Sequence, residues 1–368
     1  MVMFGQEQGT YVIAEAGVNH NGSLDLALRL VDAARDSGAD AVKFQAFKTE
    51  SLVTADAPKA AYQAVTTGAG TSQYQMLKAL ELPPDVLQRV RRHCDDTGID
   101  FLCSAFDHGS LDFLVTEMGQ RRIKLGSGEL CDAPLLLAAA RSGVEIIASS
   151  GMATLADVEA ALGVLAFGYL SPEETPAGAA AFRAALMEPA GRAALASKVA
   201  LLHCTSNYPA AVDTANLRAM LTLRDAFPLA CVGYSDHTEG TLVPVMAVTL
   251  GARIIEKHLT LDRGMRGPDH AASFDPGQFA GLVREIRMAE AALGDGYKFP
   301  AASEMDTRNV AHKSLVAAED IARGMAFSPR NVAVKRPGTG LSPYLYWDLV
   351  GRAPPRDYRA GDLIATLP

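Results

Sequence analysis

Polar and charged residues follow eight short apolar runs of this sequence, and their types could bind and convert an anionic substrate. They are Glu15, Lys43, Gln45, Ser104, Lys124, Ser127, Ser149, Ser206, Tyr208, Ser235, His237, Glu256 and His258. Polar groups buried at strand ends cost free energy unless they are bonded, so a purely structural chain has little use for such a set. The pattern therefore predicts a site built from many strand ends.

Two of these residues, Lys43 and Lys124, stand at alternating strand positions that point inward. Serines and the Gly-Ser-Gly turn at 126–128 surround them. Buried lysines need anionic partners, and hydroxyls with backbone N–H groups at helix starts form a natural phosphate cradle. We expect a small, highly charged anion that carries a phosphate and a carboxylate.

Two histidines also follow neighbouring strands. His237 follows the seventh apolar run and His258 closes the eighth, with Asp236 and Glu256 nearby. Such N and O donors suit a divalent cation with open coordination positions, namely Mn²⁺, Mg²⁺, Co²⁺ or Zn²⁺. Taken alone, the same two histidines could also act as a general acid and a general base.

The runs that position these residues alternate with stretches of helical periodicity. They cover residues 11–17, 41–47, 100–106, 122–127, 145–151, 199–206, 229–236 and 253–260. Eight strand–helix repeats within about 295 residues predict a (β/α)₈ TIM barrel, whose active site lies at the carboxyl ends of the strands. A doubly wound open sheet is the rival fold, but it usually has a Gly-rich turn after its first strand.

Two segments depart from this repeat. Residues 168–197 are rich in Ala and punctuated by Pro and Gly, which predicts an added helix pair. Residues 296–308 are predicted as a linker between the catalytic barrel, 1–295, and a small mostly-β domain, 309–368, with short strands at 314–317 and 332–334.

The composition excludes several classes of protein. Hydrophobic residues make up 49% of the 368 residues, and no apolar run is long enough to cross a membrane. The net charge of -8 disfavours nucleic-acid binding, and five scattered cysteines without a CxxC pair indicate reduced thiols. We therefore expect a cytoplasmic protein.

The charge is unevenly distributed along the chain. Residues 309–368 carry eight basic and five acidic side chains, or +3, which leaves -11 for residues 1–308.

Several ordered motifs resemble those of the sialic acid (N-acetylneuraminate) synthase family. They are EAGVNHNG at 15–22, VKFQ at 42–45, KLGSGE at 124–129, LHCTSNYP at 202–209, GYSDHT at 233–238, EKHLT at 256–260 and GPDH at 267–270. The tail, with VKRPGTG at 334–340, is similar to the family's C-terminal antifreeze-like (SAF) domain. The resemblance spans nearly the whole chain.

The resemblance implies a condensation of phosphoenolpyruvate with an N-acetylmannosamine-type sugar, giving a nine-carbon 2-keto acid and phosphate by C–O cleavage. By similarity, phosphoenolpyruvate is bound by Lys43, Ser104, Lys124, Ser127, Ser149, Ser206 and Ser235. The resemblance also implies that the sugar is contacted by Glu15, Gln45, Tyr208 and Asp269. It implies that Glu15 or Glu129 transfers the proton. It further implies that His237 and His258 hold a divalent metal, Mn²⁺ before Mg²⁺ or Co²⁺.

The family's tail domain covers the barrel of the other subunit, which implies a domain-swapped homodimer. Arg336 matches the arginine that reaches the sugar's N-acyl group, and the opposite charges of tail and barrel favour such docking. The sequence departs from the family at Ser104-Ala105, where Thr-Pro is common, and at Ser206-Asn207, where either residue could contact phosphate.

Four alternatives remain at this stage. N-acetylneuraminate is the default product, whereas a legionaminic acid synthase would use 2,4-diacetamido-2,4,6-trideoxymannose, and pocket shape decides between the two sugars. A pseudaminate synthase fits the first strand less well. Another phosphoenolpyruvate–aldose condensing enzyme would lack the tail domain, and a sugar-binding or ice-binding module would not need Lys43, Lys124, His237 and His258 together.

Overall fold

Eight parallel strands close into a barrel in which each strand pairs with its neighbours in the sequence and β8 pairs with β1. The computed structural model describes residues 9–68 and 70–368. The strands are β1 (Tyr11–Gly17), β2 (Ala41–Ala46), β3 (Asp100–Ala105), β4 (Arg122–Leu125), β5 (Glu145–Ser149), β6 (Val199–Cys204), β7 (Cys231–Asp236) and β8 (Ile254–His258). The predicted TIM barrel is confirmed, and the predicted strand ends differ by at most two residues.

Alternate residues of each strand point into the barrel and form layers. The apolar layer is formed by a cluster that contains Ile13, Ala41, Leu102, Ile147, Ala200 and Ile254, and Leu202 packs onto the same cluster. One step towards the carboxyl ends, the inward positions carry Glu15, Lys43, Ser104, Lys124, Ser149 and Glu256. The apolar layer thus forms a dry floor beneath a layer of charged and hydroxyl groups.

Helices cover the outside of the barrel and fill the connections. They are α1 (Leu24–Asp36), α2 (Thr49–Leu52), α3 (Ala61–Thr67), α4 (Gln73–Lys78), α5 (Pro84–Thr97), α6 (His108–Asp112), α7 (Ala133–Arg141), α8 (Leu155–Leu170), α9 (Ala179–Met187), α10 (Pro189–Lys198), α11 (Arg218–Ala226), α12 (Leu242–Thr249) and α13 (Pro276–Leu293). Ser23 caps α1, and Gly38 follows it at φ +80°, as the Ser-Gly stop signal predicts. A π-helical turn, Phe113–Glu117, extends α6.

The predicted helix pair between β5 and β6 is confirmed as α9 and α10. Phe182 of α9 packs edge-on against Phe167 of α8, with ring centroids 5.5 Å apart. Ala185 and Leu195 are buried, whereas Met187 at the end of α9 is exposed. The pair therefore enlarges the helical layer and leaves the strand order unchanged.

Two compact units divide the chain, Met1–Gly294 and Asp295–Pro368. The second unit contains α14 (Met305–Ala311), an antiparallel pair of β9 (Ser314–Ala317) and β10 (Val332–Lys335), and α15 (Tyr346–Leu349). Its own core contains Leu315, Phe327, Leu349, Tyr358 and Ile364. None of the helices in the described ranges has the length and apolarity needed to cross a membrane.

Candidate active site

A cavity of about 370 Å³ opens at the carboxyl ends of the barrel strands. All fifteen site residues predicted within the barrel line it: Glu15, Lys43, Gln45, Ser104, Lys124, Ser127, Glu129, Ser149, Ser206, Tyr208, Ser235, His237, Glu256, His258 and Asp269. They come from seven of the eight strands and from the loops that follow the strands, which is why no local motif contains them all. Ser206 is among the lining residues and Asn207 is not.

Two lysines and two carboxylates form a buried network at the floor of this cavity. Lys43 Nζ lies 2.5 Å from Glu15 Oε2 and 3.7 Å from Glu256 Oε2. Lys124 Nζ lies 3.9 Å from Glu256 Oε1, which also accepts a 2.9 Å hydrogen bond from Ser235. All four charged side chains are at least nine-tenths buried, so each depends on the others to offset its desolvation.

The pKa values of the two carboxylates in this network shift in opposite directions. Burial opposes the ionisation of Glu256, but Lys124 and Lys43 more than compensate, so its pKa falls below the ordinary value. Burial dominates at Glu15 and, with the charge of Glu256, raises its pKa although Lys43 opposes the shift. Burial also lowers the pKa of Lys124. Glu256 therefore carries the fixed negative charge, and Glu15 is the carboxyl group suited to exchanging a proton.

Hydroxyl groups surround the two lysines. Lys43 Nζ donates to Ser104 Oγ over 3.2 Å, and Lys124 Nζ donates to Ser149 Oγ over 2.6 Å. Ser127 accepts a 3.0 Å hydrogen bond from the backbone N–H of Gly151. Two ammonium groups and several hydroxyls on one wall are the groups that bind a compact anion with several oxygens.

The close approach of two hydroxyls explains the glycine after β5. A Cβ at Gly151 would lie 2.3 Å from Ser206 Oγ and 2.7 Å from Ser127 Oγ. Only glycine lets the loops after β4, β5 and β6 converge at this distance. Ser206 lies two residues beyond the observed end of β6, and the turn there brings its hydroxyl to the cradle.

The two histidines face each other, with ring centroids 5.5 Å apart. Burial lowers the pKa of both, so neutral imidazoles are favoured. His237 Nδ1 lies 2.7 Å from the carbonyl oxygen of Thr205, which directs Nε2 into the cavity, and the buried His258 Nδ1 has no hydrogen-bond partner. Neutral imidazoles with free nitrogens fit a metal ion.

The carboxylates expected near these histidines are engaged elsewhere. Asp236 forms an ion pair of 2.5 Å with Lys257 and accepts hydrogen bonds from Thr238, because it alternates to the outer side of β7. Glu256 belongs to the lysine network. The described residues contain no cluster of three or more His, Cys, Asp and Glu side chains that could hold a metal, so a bound cation would need ligands from water or substrate.

The upper part of the cavity suits a neutral, polar ring. Gln45 donates a 3.0 Å hydrogen bond to Glu15, and the ring centroids of Tyr208 and His237 lie 4.0 Å apart. Burial, with the charge of Glu15, raises the pKa of Asp269 to about 7. Burial also raises the pKa of Glu129, which lines the same cavity.

Sequence reasoning missed the wall that lies between β2 and α5. Tyr62 and Gln63 of α3 and Met76 and Leu77 of α4 line the cavity, and Tyr62 stacks on Tyr208 with centroids 5.1 Å apart. The only available signal was the unusual length of this connection, since long loops after barrel strands often carry function. Val18, Phe106, Met152, Cys204 and Pro268 also line the cavity and were missed.

Arg336 lies in the second unit. Its Nε donates a 2.9 Å hydrogen bond to the carbonyl oxygen of Ala311, and its side chain is exposed. This bond orients the base of the guanidinium group and leaves its terminal nitrogens available. Its predicted contact with the sugar stays a prediction.

Family models match both units. The NeuB family matches residues 30–298, and the SAF domain matches residues 312–366. An N,N'-diacetyllegionaminic acid synthase of Campylobacter jejuni is 42% identical over 96% of this chain and 98% of its own length. The human N-acetylneuraminate-9-phosphate synthase is 31% identical over 95% of this chain and 89% of its own length.

Solved structures give the same result. A citrate complex of N-acetylneuraminic acid synthetase from Leptospira borgpetersenii matches with a TM-score of 0.65 and 32% identity. The match covers 82% of this chain and 90% of that protein.

Proposed function

Because the chain belongs to the NeuB family of nonulosonic acid synthases, we propose that it condenses phosphoenolpyruvate with 2,4-diacetamido-2,4,6-trideoxymannose. A C–C bond forms between C3 of phosphoenolpyruvate and the sugar aldehyde, and water adds at C2. Cleavage of the C2–O bond then releases phosphate and leaves N,N'-diacetyllegionaminic acid. The observation that carries the proposal is the single cavity that joins a lysine–serine cradle to a histidine pair and a ring-sized upper part.

Two observations favour this sugar over N-acetylmannosamine. Legionaminic acid synthases from Campylobacter jejuni and Legionella pneumophila are both 42% identical to this chain, compared with 31% for the human N-acetylneuraminate-9-phosphate synthase. The cavity also has an apolar wall formed by Val18, Met76, Leu77 and Phe106. A 6-deoxy sugar with two acetamido groups presents three methyl groups, which such a wall stabilises.

The charges of the cavity argue against a sugar phosphate at this wall. Lys43 and Lys124 are the only lysine or arginine residues among its described lining, and both lie at the floor within the carboxylate network. A phosphate at C6 of the sugar would meet apolar side chains there and would lose its hydration without gaining a partner.

In this mechanism Lys43 and Lys124 bind the phosphate and carboxylate oxygens of phosphoenolpyruvate. Ser104, Ser149 and Ser127 donate further hydrogen bonds to these oxygens. Because the lysines lie in a dry layer above the apolar floor, they stabilise the charge of the departing phosphate more strongly than they would in water.

Glu15 supplies the proton that the aldehyde oxygen gains as the C–C bond forms. Its raised pKa keeps part of the population protonated, and Gln45 holds its Oε1 in place. Glu129 is the other carboxyl group with a raised pKa, but Glu15 lies closer to the reacting centre because it bonds directly to Lys43. Asp269 and Tyr208 orient the sugar.

His237 and His258 would hold a divalent cation, Mn²⁺ first and Mg²⁺ or Co²⁺ next, which when bound would supply Lewis-acid polarisation of the sugar aldehyde and orientation of water. We expect His258→Ala to lower Mn²⁺ affinity measured by equilibrium dialysis, whereas His93→Ala, a change on α5 away from the cavity, retains it. Equal Mn²⁺ affinity in the two variants would remove His258 from the ligand set.

We also propose a homodimer in which the second unit of one protomer covers the barrel of its partner and brings Arg336 to the sugar. The charge split of +3 and -11 between residues 309–368 and 1–308 supports it, because opposite charges favour docking.

The substrate experiment measures phosphate release from phosphoenolpyruvate with each of the two sugars, together with product mass. A kcat/KM about tenfold or more higher for the diacetamido sugar is expected if the apolar wall contacts its additional methyl groups. A preference for N-acetylmannosamine would identify an N-acetylneuraminate synthase, and release with neither sugar would contradict both assignments.

A further inference from the structure

A second cavity, of about 910 Å³, lies at the opposite end of the barrel from the active site. Asp100, Arg122 and Glu145, the first residues of β3, β4 and β5, line it together with Lys198 at the end of α10. A smaller cavity of about 140 Å³ shares several of these residues and reaches Tyr11 at the start of β1. The two form a groove beneath the barrel floor.

The lining of this groove carries surplus positive charge in a chain whose net charge is -8. Four cations, Arg91, Arg121, Arg122 and Lys198, face three carboxylates, Asp95, Asp100 and Glu145. All three carboxylates are already bonded. Asp95 pairs with Arg91 Nε over 3.0 Å, Glu145 Oε2 accepts from Nε and Nη2 of Arg122 over 3.0 and 2.8 Å, and Asp100 accepts from the Tyr11 hydroxyl over 2.6 Å.

Two of the cations remain without a carboxylate. The exposed Arg121 side chain has no hydrogen-bond or ion-pair partner within residues 9–68 and 70–368. Among the described residues, Lys198 donates only to the carbonyl oxygen of Gly143, over 3.1 Å, and it lies 4.9 Å from the ring centroid of Tyr169. An arginine fork and an ammonium group on one groove are suited to oxyanions.

A buried donor points to the same ligand chemistry. Gln120 is 7% exposed and lines both cavities, yet its amide Nε2 has no hydrogen-bond partner in the part of the chain described. A buried N–H group without an acceptor is costly, and proteins rarely retain one that nothing satisfies.

We propose that this groove binds a sugar-sized anion through its phosphate or carboxylate oxygens. Arg121 and Lys198 supply the charge, and Gln120 donates a hydrogen bond to the same anion. The apolar layer that contains Ile13, Leu102 and Ile147 separates the groove from the active site, so this ligand does not compete with the substrates.

Phenylglyoxal modification of individual arginines, followed by mass spectrometry, tests the proposal locally on the full-length protein. The probes are ribose 5-phosphate, gluconate and inorganic phosphate, each at about 10 mM, which saturates a site of millimolar affinity. We expect ribose 5-phosphate or gluconate to slow the modification of Arg121 about fivefold, because a bound oxyanion shields the guanidinium group. Arg183, exposed on α9, serves as the control and keeps its rate.

The three probes separate the possible sources of the oxyanion. Protection by ribose 5-phosphate alone identifies a phosphate monoester, and protection by gluconate alone identifies a sugar acid. Protection by inorganic phosphate equal to that by both larger probes would overturn the sugar-sized ligand. An unchanged Arg121 rate with all three probes would overturn the site.

A variant pair tests the buried amide. Gln120→Leu removes the donor at similar volume. The probe concentration needed to protect Arg121 should then rise about tenfold, because a hydrogen bond to a charged group is lost. Gln88→Leu on the exposed face of α5 is the matched control. Equal protection in Gln120→Leu and in wild-type protein would remove Gln120 from the site.

Discussion

At the scale of single residues, the charge environment separates the two buried carboxylates of the active site. Glu256 lies between two lysines, whereas Glu15 pairs with one of them, Lys43, and accepts a hydrogen bond from Gln45. Glu15→Gln keeps a hydrogen-bond acceptor for Lys43 but removes the transferable proton. We expect kcat to fall by about 10²–10⁴ with little change in KM for phosphoenolpyruvate. Steady-state kinetics measures kcat of Glu15→Gln, with Glu159→Gln at an exposed site on α8 as the control. An unchanged kcat in Glu15→Gln would assign the proton transfer to Glu129 instead.

The raised pKa of Asp269 makes a second prediction at this scale. The folded protein keeps the proton of Asp269 up to about pH 7, whereas the unfolded chain loses it near pH 4. Between these values the folded state binds more protons, so the free energy of unfolding falls as pH rises. Asp269→Asn should make the decline in Tm between pH 5 and pH 7.5 smaller. Asp56→Asn, a change on an exposed loop, should show the same decline as the wild-type protein. An equal decline in both would show that Asp269 ionises normally.

The residue types were readable from the sequence, but their pairing was not. Strand alternation placed Lys43 and Lys124 inside the barrel, and both are buried there together with the strand-end residues Glu15 and Glu256. The same alternation turns Asp236 outward to Lys257, which only the exact strand ends determine. The distribution of charge among lysines and carboxylates depends on distances between strands that a sequence does not state.

At the scale of elements, the strands were predictable and the wall between β2 and α5 was not. Each strand is a short apolar run with polar residues at its end, and this pattern can be recognised in the sequence without tertiary information. The short helices α3 and α4 have little periodicity, and Tyr62 reaches the cavity only through the path of the whole connection.

This wall gives the prediction that belongs to the element scale. Tyr62→Ala removes the ring stacked on Tyr208 and should raise KM for the sugar about fivefold, since an aromatic pair contributes roughly 1 kcal/mol. KM for phosphoenolpyruvate should stay unchanged because Tyr62 packs on Tyr208, whereas the lysine–serine cradle belongs to the floor of the cavity. Tyr74→Ala is the matched control on α4, where the hydroxyl bonds to Glu50 outside the cavity. Equal effects on both KM values would place Tyr62 outside the sugar site.

At the scale of the whole molecule, the family match confirms the sialic acid synthase family and the SAF domain that the ordered motifs predicted. Family membership was accessible because seven motifs and a tail occur in order along the chain. The sugar was not accessible in this way, since it depends on the shape of a wall that sequence reasoning did not find. The barrel and the tail domain each have their own core.

The proposed exchange of tails between protomers predicts complementation. Under this proposal, Arg336→Ala and His237→Ala should each inactivate the site to which they contribute. In a random mixture, half of the dimers are mixed, and each then contains one intact site made from one barrel and the other tail, so about a quarter of wild-type activity returns. Activity after denaturation and co-refolding of the two variants measures this. Activity no higher than the mean of the separate variants would mean that each tail serves its own barrel.

Phosphorus NMR of the phosphate released from phosphoenolpyruvate with ¹⁸O at the bridging position, in the presence of 2,4-diacetamido-2,4,6-trideoxymannose, tests the central claim most directly. We expect phosphate with one ¹⁸O and its characteristic isotope shift, because the C2–O bond breaks after the sugar has been joined at C3. Unshifted phosphate would show cleavage of the P–O bond and would contradict the proposed reaction.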